Sequence, residues 1–275
     1  MKLSANLFYF VQVFGVHKTL DIFSAAGFQA VDFNHDIEEF YDDSHDKAYY
    51  LDLRKYAEDR GLAISQAHAP FASAFADREK SEKRFHEIVR SFRHASWLGV
   101  EQIVVHPTGH IQDEKECLDY NIDFYHRLRP YAEDAGLQIA VENIPGTPTQ
   151  TPEGLLRVMD ALSGPAFTIC FDVGHAQISH ENPAEFIRKI PGRIGCTHIH
   201  DNNGTADQHL LPYYGVLQWD EIMKALAETD YQGNLSYEAG CFAAGLPLEL
   251  RPAAAVFMAQ VGGHLREMFW GYKGK

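Results

Sequence analysis

A closed (βα)8 barrel is the fold class this sequence predicts, and three observations carry the prediction. Glycines recur at Gly27, Gly61, Gly99, Gly136, Gly164, Gly192 and Gly233, each after a helix-like segment. Each of them stands shortly before a β-rich run, as expected of a residue that ends a helix in a left-handed turn. No linker or compositional break divides the 275 residues, and barrels of this kind take about 250 residues. The expectation is one barrel domain over residues 1–275, an α/β TIM barrel.

The chain opens MKLSANLFYFVQVFGV. Asn6 and Gln12 interrupt its apolar run and no small-x-small cleavage site follows, so LSANLFYF reads as a first buried strand and not as a secretory signal. The next strands are FQAVDFN (28–34), LAISQAHA (62–69), VEQIVVHP (100–107), LQIAVENI (137–144), FTICFDVG (167–174), IGCTHIHD (194–201) and NLSYEAG (234–240). Between strands three and four, REKSEKRFHEIVRSFRHASWLG (78–99) carries apolar residues at helical spacing and ends on Gly99. Thr151-Pro152 and Asn182-Pro183 each place a capping residue before a proline suited to the first helical position. A doubly wound open sheet would also alternate strands and helices. No GxGxxG or GxxxxGK[ST] follows any strand, which weakens its nucleotide-binding form.

Composition narrows the class of partner. Hydrophobic residues make up 45% and charged residues 23%, the balance of a soluble protein with a large core. The formal net charge of −14 turns the expectation away from nucleic acid, whose binding draws on basic surface. Cys117, Cys170, Cys196 and Cys241 show no CxxC spacing, which suits a reducing, cytoplasmic setting. Nothing approaches the length of a membrane span, and assembly into a homo-oligomer is compatible with all of this.

Ligand-type residues stand near the C-terminal ends of strands three to eight: His68, His106, Glu142, Asp172, His198 and Glu238. In a barrel those ends converge on the face where sites are built. Side chains alternate along a strand, so Gln66, Val104, Ala140, Cys170, Cys196 and Ser236 share the inward face one layer below. Val105, Val141, Phe171 and Tyr237 then face the helices. The same parity puts His198 and His200 on one side of strand seven and leaves Asp201 to point away or open the loop. One such histidine alone would read as an ordinary core or loop residue. Six ligand-type residues at equivalent positions need compensation, which a cation supplies directly. Glu142, Asp172, His198 and Glu238 form the most economical ligand set, suited to Mn²⁺, Mg²⁺, Co²⁺ or Zn²⁺.

In AHAP (67–70), VVHP (104–107), VENIPG (141–146), CFDVGH (170–175), HIHDNNGTADQH (198–209) and SYEAG (236–240), the sequence resembles the xylose isomerase-like TIM barrels. That superfamily joins sugar isomerases and epimerases to type-IV apurinic endonucleases. In the isomerase branch the resemblance assigns Glu142, Asp172, His198 and Glu238 to one divalent metal and His175 to a substrate hydroxyl. It implies a double duty for Glu142 and Glu238, as ligands and as the catalytic pair that removes and returns a proton. In the endonuclease branch it implies three zinc ions, held by His68, His106 and Glu142; by Glu142, Asp172, His198 and Glu238; and by His175, Asp207 and His209. Many relatives carry a Gly-x-Gly turn after the histidine equivalent to His209, where this chain reads LLPYYGVLQW.

The reading that follows is a metal-dependent isomerase or epimerase of a ketose or polyol-derived ketone, a small carbohydrate-like substrate. His68, His106, His175, His200 and His209 are expected to meet its hydroxyls. A lyase that expels a β-hydroxyl is the first alternative, with His175, His200 or His209 as the acid. A zinc-dependent endonuclease is the second, and a metal-binding barrel without catalysis is the non-enzyme alternative.

Overall fold

The computed structural model describes residues 1–37, 40, 43–71, 73–229 and 231–274. Within them, parallel strands alternate with helices around a barrel. The strands are β1 (Leu3–Ala5), β2 (Ala30–Asn34), β3 (Ala63–His68), β4 (Gln102–Val105), β5 (Gln138–Glu142), β6 (Phe167–Asp172), β7 (Ile194–His198) and β8 (Leu235–Tyr237). Strands β2 to β7 pair in chain order as one sheet, and β1 pairs with β8. Two parallel bridges close the ring, Asn6 with Asp32 and Ile199 with Tyr237.

The helices are α1 (Phe8–Phe14), α2 (Val16–Ala26), α3 (Lys47–Glu58), α4 (Arg78–Leu98), α5 (Glu114–Ala135), α6 (Pro152–Leu162), α7 (Val173–Ile178), α8 (Pro183–Lys189), α9 (Trp219–Glu228), α10 (Cys241–Ala244) and α11 (Arg251–Lys273). Thr151 caps α6 by accepting from the Gly154 N–H at 3.1 Å, and Asn182 caps α8 by accepting from Glu185 at 3.0 Å. Each cap satisfies an N–H that the helix itself leaves unpaired. No described helix is long and apolar enough to cross a membrane.

Two features differ from the sequence reading. The first strand stops at Ala5, and FYF belongs to α1. The cause is local: the Asn6 side chain accepts from the Phe8 N–H at 2.9 Å, a side-chain turn that bends the strand into a helix. The glycine rhythm holds through Gly192, but Gly233 is not among the glycines with positive φ. Close packing explains Gly233 instead, since a Cβ there would stand 2.6 Å from the Gly195 carbonyl oxygen.

The alternation sorts the core into two compartments. Val104, Ala140, Cys170 and Cys196 form an apolar cluster of their own inside the barrel, beneath the ends of β4 to β7. Val105, Val141, Phe171 and Tyr237 belong to the larger cluster between barrel and helices. Small side chains fill the narrow interior, and the bulky ones pack outside it.

Candidate metal centre and cavity

The strand ends deliver their carboxylates and imidazoles to one place. Glu142, Asp172 and His198 are the last residues of β5, β6 and β7, and Glu238 follows β8 directly. One ligand atom from each lies within 4.8 Å of all the others. His198 Nδ1 stands 2.9 Å from Glu142 Oε1, 3.5 Å from Glu238 Oε2 and 3.8 Å from Asp172 Oδ2. Glu142, Asp172 and His198 are fully buried, while the Glu238 side chain keeps 11% of its surface.

The group meets the requirements of a divalent cation. Ligands about 2.0–2.3 Å from a common ion stand roughly 3–4.5 Å apart, close to the 2.9–3.8 Å that separate His198 Nδ1 from the three carboxylates. Two buried carboxylates and the partly exposed Glu238 face one another here, and imidazoles stand beside all three. Glu142 and His198 are fully buried, so water cannot compensate the charge gathered here. Hard oxygen donors with one imidazole suit Mg²⁺, Mn²⁺, Co²⁺ or Zn²⁺.

Two further groups flank this one. His68, His106 and Glu142 come together on one side, with His106 Nε2 2.9 Å from Glu142 Oε2 and 3.0 Å from His68 Nε2. His175, His200, Asp207 and His209 come together on the other. His175 Nε2 lies 3.3 Å and His209 Nε2 3.1 Å from Asp207 Oδ2, and His200 Nε2 lies 3.0 Å from Asp172 Oδ2. His200 also stacks on His209, ring centroids 4.1 Å apart.

The charges set the protonation states. Burial alone would lower the pKa of His198, yet Glu238 and Glu142 raise it well above the ordinary value. Burial opposes His175 too, and Asp172, Asp207 and Glu142 overcome it. For His209, burial is outweighed by Asp207 and Glu238, which lift its pKa to about 9. Burial would raise Asp207 and Glu142, but the imidazoles around them push both down. His106 differs: burial prevails over Glu142 and its pKa falls.

A cavity of about 230 Å³ opens above the centre. Asn6, Asn34, His106, His175, Asp207, His209 and Glu238 form its polar wall, and Phe8, Tyr9 and Phe71 its aromatic one, with Gly240 beside Tyr9. Phe71 stacks on His106 at 5.3 Å, which fixes the junction of the two walls. Gly240 lets Tyr9 in, because a Cβ there would stand 2.5 Å from Tyr9 Cδ2. No lysine or arginine is among the described residues lining the cavity.

Of the histidines expected at the substrate, His106, His175 and His209 are in this wall. His68 and His200, 1% and 0% exposed, sit behind it. Glu142 also lies beneath the wall, whereas Glu238 borders the cavity. Asn6 just after β1, and Asp32 and Asn34 on β2, escaped the sequence reading. Parity could have found them: in AVDFN the polar Asp32 and Asn34 alternate with Val31 and Phe33. Asp201 does point away from the site and organises the loop after β7. Its carboxylate accepts from the backbone of Asn202, Tyr213 and Leu217 and, at 2.8 Å, from the Trp219 indole.

Fold and mouth together define a class: (βα)8 barrels with a candidate divalent-metal centre at the C-terminal ends of the strands. The chain belongs to the xylose isomerase-like TIM barrel family, whose model matches residues 20–258. It is 35% identical over 204 residues to the uncharacterized protein MJ1311 of Methanocaldococcus jannaschii, covering 69% of this chain and 68% of that one. It is 28% identical over 218 residues to the inosose dehydratase of Clostridium botulinum, covering 68% and 72%. Among solved structures, a D-tagatose 3-epimerase-like protein superposes with a TM-score of 0.80 at 26% identity, covering 98% of both chains.

Proposed function

We propose that this protein is a metal-dependent isomerase or epimerase of a small, uncharged ketose or polyol-derived ketone. The carrying observation is the placement of Glu238, which belongs both to the four-residue ligand group and to the cavity wall. A carboxylate there reaches the ligand point and a bound carbon at once. Glu142, Asp172, His198 and Glu238 would hold the cation, which supplies positive charge to a substrate oxygen as negative charge develops on it. The volume and the lining without lysine or arginine suit a monosaccharide or cyclitol better than a phosphorylated sugar.

Glu238 takes the proton from the carbon beside the carbonyl, and the electron pair moves onto the carbonyl oxygen to give an enediolate. Return of a proton to the other carbon, with the hydroxyl proton passing to the former carbonyl oxygen, isomerises the substrate, and return to the opposite face of the same carbon epimerises it. Glu142, beneath the wall with its Oε2 2.9 Å from His106 Nε2, is the second carboxylate of that exchange. His106, His175 and His209 hold hydroxyls, and Phe8, Tyr9 and Phe71 cover the apolar side of the ring.

A dehydratase is the second reading, favoured by His175 and His209. Both line the cavity, and both are held toward the protonated form by neighbouring carboxylates. Such an acid could protonate a β-hydroxyl as it leaves the same enediolate. The similarity to an inosose dehydratase supports this reading as the epimerase-like structure supports the first.

One experiment tests both. The metal-loaded protein is incubated in deuterated water with ketoses, inososes and dehydro-acids, and products are read by mass and NMR. An isomer labelled at the carbon next to the carbonyl supports the isomerase, and a product lacking one water supports the dehydratase. Conversion without deuterium uptake counts against exchange with solvent through these carboxylates. Metal analysis bears on the hydrolase alternative. Three zinc ions per chain with cleavage of abasic duplex would overturn the reading that the net charge of −14 favours.

A further inference from the structure

The candidate centre uses the carboxylates of β5, β6 and the segment after β8, and leaves one more unexplained. Asp32 on β2 is fully buried inside the barrel. The β2–β3 register shifts between Val31 and Asp32, at the residue where the side chain turns inward. Its Oδ2 accepts from Gln66 Nε2 at 3.1 Å and from Asn6 Nδ2 at 3.3 Å, and lies 3.4 Å from His198 Nε2. The other nitrogen of that ring, Nδ1, faces Glu142 and Glu238. The imidazole therefore stands between Asp32 and the point on which the four ligands converge.

Two neutral amides are weak compensation for a buried carboxylate. An imidazole N–H whose opposite nitrogen is bound to a cation is a much stronger donor. Asn6 extends the connection, because its Nδ2 is also 3.3 Å from Glu238 Oε1. One amide nitrogen has two hydrogens and can serve both carboxylates.

We propose that Asp32 is the positioning residue of the metal centre. It keeps the proton on His198 Nε2, so that Nδ1 is the nitrogen presented to the cation, and through Asn6 it restrains Glu238. The inference rests on the reading that Glu142, Asp172, His198 and Glu238 hold a metal. A carboxylate that merely fills the barrel interior would contribute to folding and leave metal affinity alone.

Zinc affinity of the full chain, measured by chelator competition for wild type, Asp32→Asn and Asp172→Asn, tests this together with ¹⁵N NMR of zinc-loaded wild type. The expected result is a loss of roughly 10–100-fold in affinity for Asp32→Asn. In the wild type, the His198 spectrum should show Nδ1 bound to zinc and Nε2 protonated. Equal affinities for wild type and Asp32→Asn, or zinc on Nε2, would overturn the role of Asp32 alone. If Asp172→Asn takes up zinc as well as wild type does, the metal centre itself fails and this inference with it. The spectrum needs no variant, so it decides the matter even if Asp32→Asn does not fold.

Discussion

Glu142 and Glu238 are the same kind of group at equivalent ends of two strands, yet the barrel gives them different surroundings. Glu142 is sealed between His198 and His106, whereas Glu238 borders the cavity and touches one amide. Glu238→Gln is therefore expected to lower kcat by about 10²–10⁴-fold, the scale of a lost general base, in steady-state assays on a ketose. Glu142→Gln should show chiefly as weaker metal binding by titration, because imidazoles on both sides lose their anionic partner. His209→Ala separates the alternatives at the same scale. It should raise KM or lower kcat while metal analysis still finds the ion at the four-residue site. Under the hydrolase reading the same change removes a ligand and should expel a zinc.

Among the elements, the loop from β7 to α9 depends most on one residue. Asp201 gathers three backbone N–H groups and the Trp219 indole onto a buried carboxylate, which holds LLPYYGVLQW around Tyr213 at φ 75°. Asp201→Ala would leave those donors unpaired, at about 1–3 kcal/mol for each one that stays buried. We expect loss of at least about 3 kcal/mol in urea unfolding, together with loss of substrate binding, since Asp207 and His209 belong to this loop. The caps are a milder test. Thr151→Ala or Asn182→Ala should cost about 1 kcal/mol each and leave turnover unchanged, because α6 and α8 belong to the outer layer.

For the whole molecule, buried charge links stability to metal and to pH. At a cation concentration 100 times Kd, binding adds about 2.7 kcal/mol. At roughly 2–4 °C per kcal/mol for a chain near this size, a chelator should lower Tm by about 5–10 °C. Away from the site, His35 after β2 and His94 on α4 are buried, and neither His35 nitrogen has a hydrogen-bond partner among the described residues. Burial first, then their mutual repulsion for His35 and Arg93 for His94, lowers their pKa values to about 3 and about 4. The unfolded chain binds these protons near pH 6.5 and the folded one does not. The contribution of these two residues is therefore full above about pH 6.5 and falls as pH drops toward 3–4, by on the order of a few kcal/mol. His35→Phe should move the acid midpoint, followed by circular dichroism, to lower pH.

Periodicity was enough to determine the barrel, because alternation along strands and glycine after helices are local rules that most segments obey by themselves, Gly233 being an exception. The same alternation predicted which residues share the inward face, and the interior cluster of Val104, Ala140, Cys170 and Cys196 follows it. Where local chemistry competed, the apolar run misled: LSANLFYF reads as a strand, but the Asn6 side chain turns it into a helix after Ala5. Only the tertiary structure decided which polar residues reach the cavity and which lie behind it. His68 and His106 look alike in AHAP and VVHP, yet His68 is sealed and His106 is exposed to the cavity, because Phe71 packs edge-on against one ring and stacks on the other. Asp32 shows the same limit. Its partners Asn6, Gln66 and His198 come from the turn after β1, from β3 and from β7, and contacts of that kind exist only once the barrel has closed.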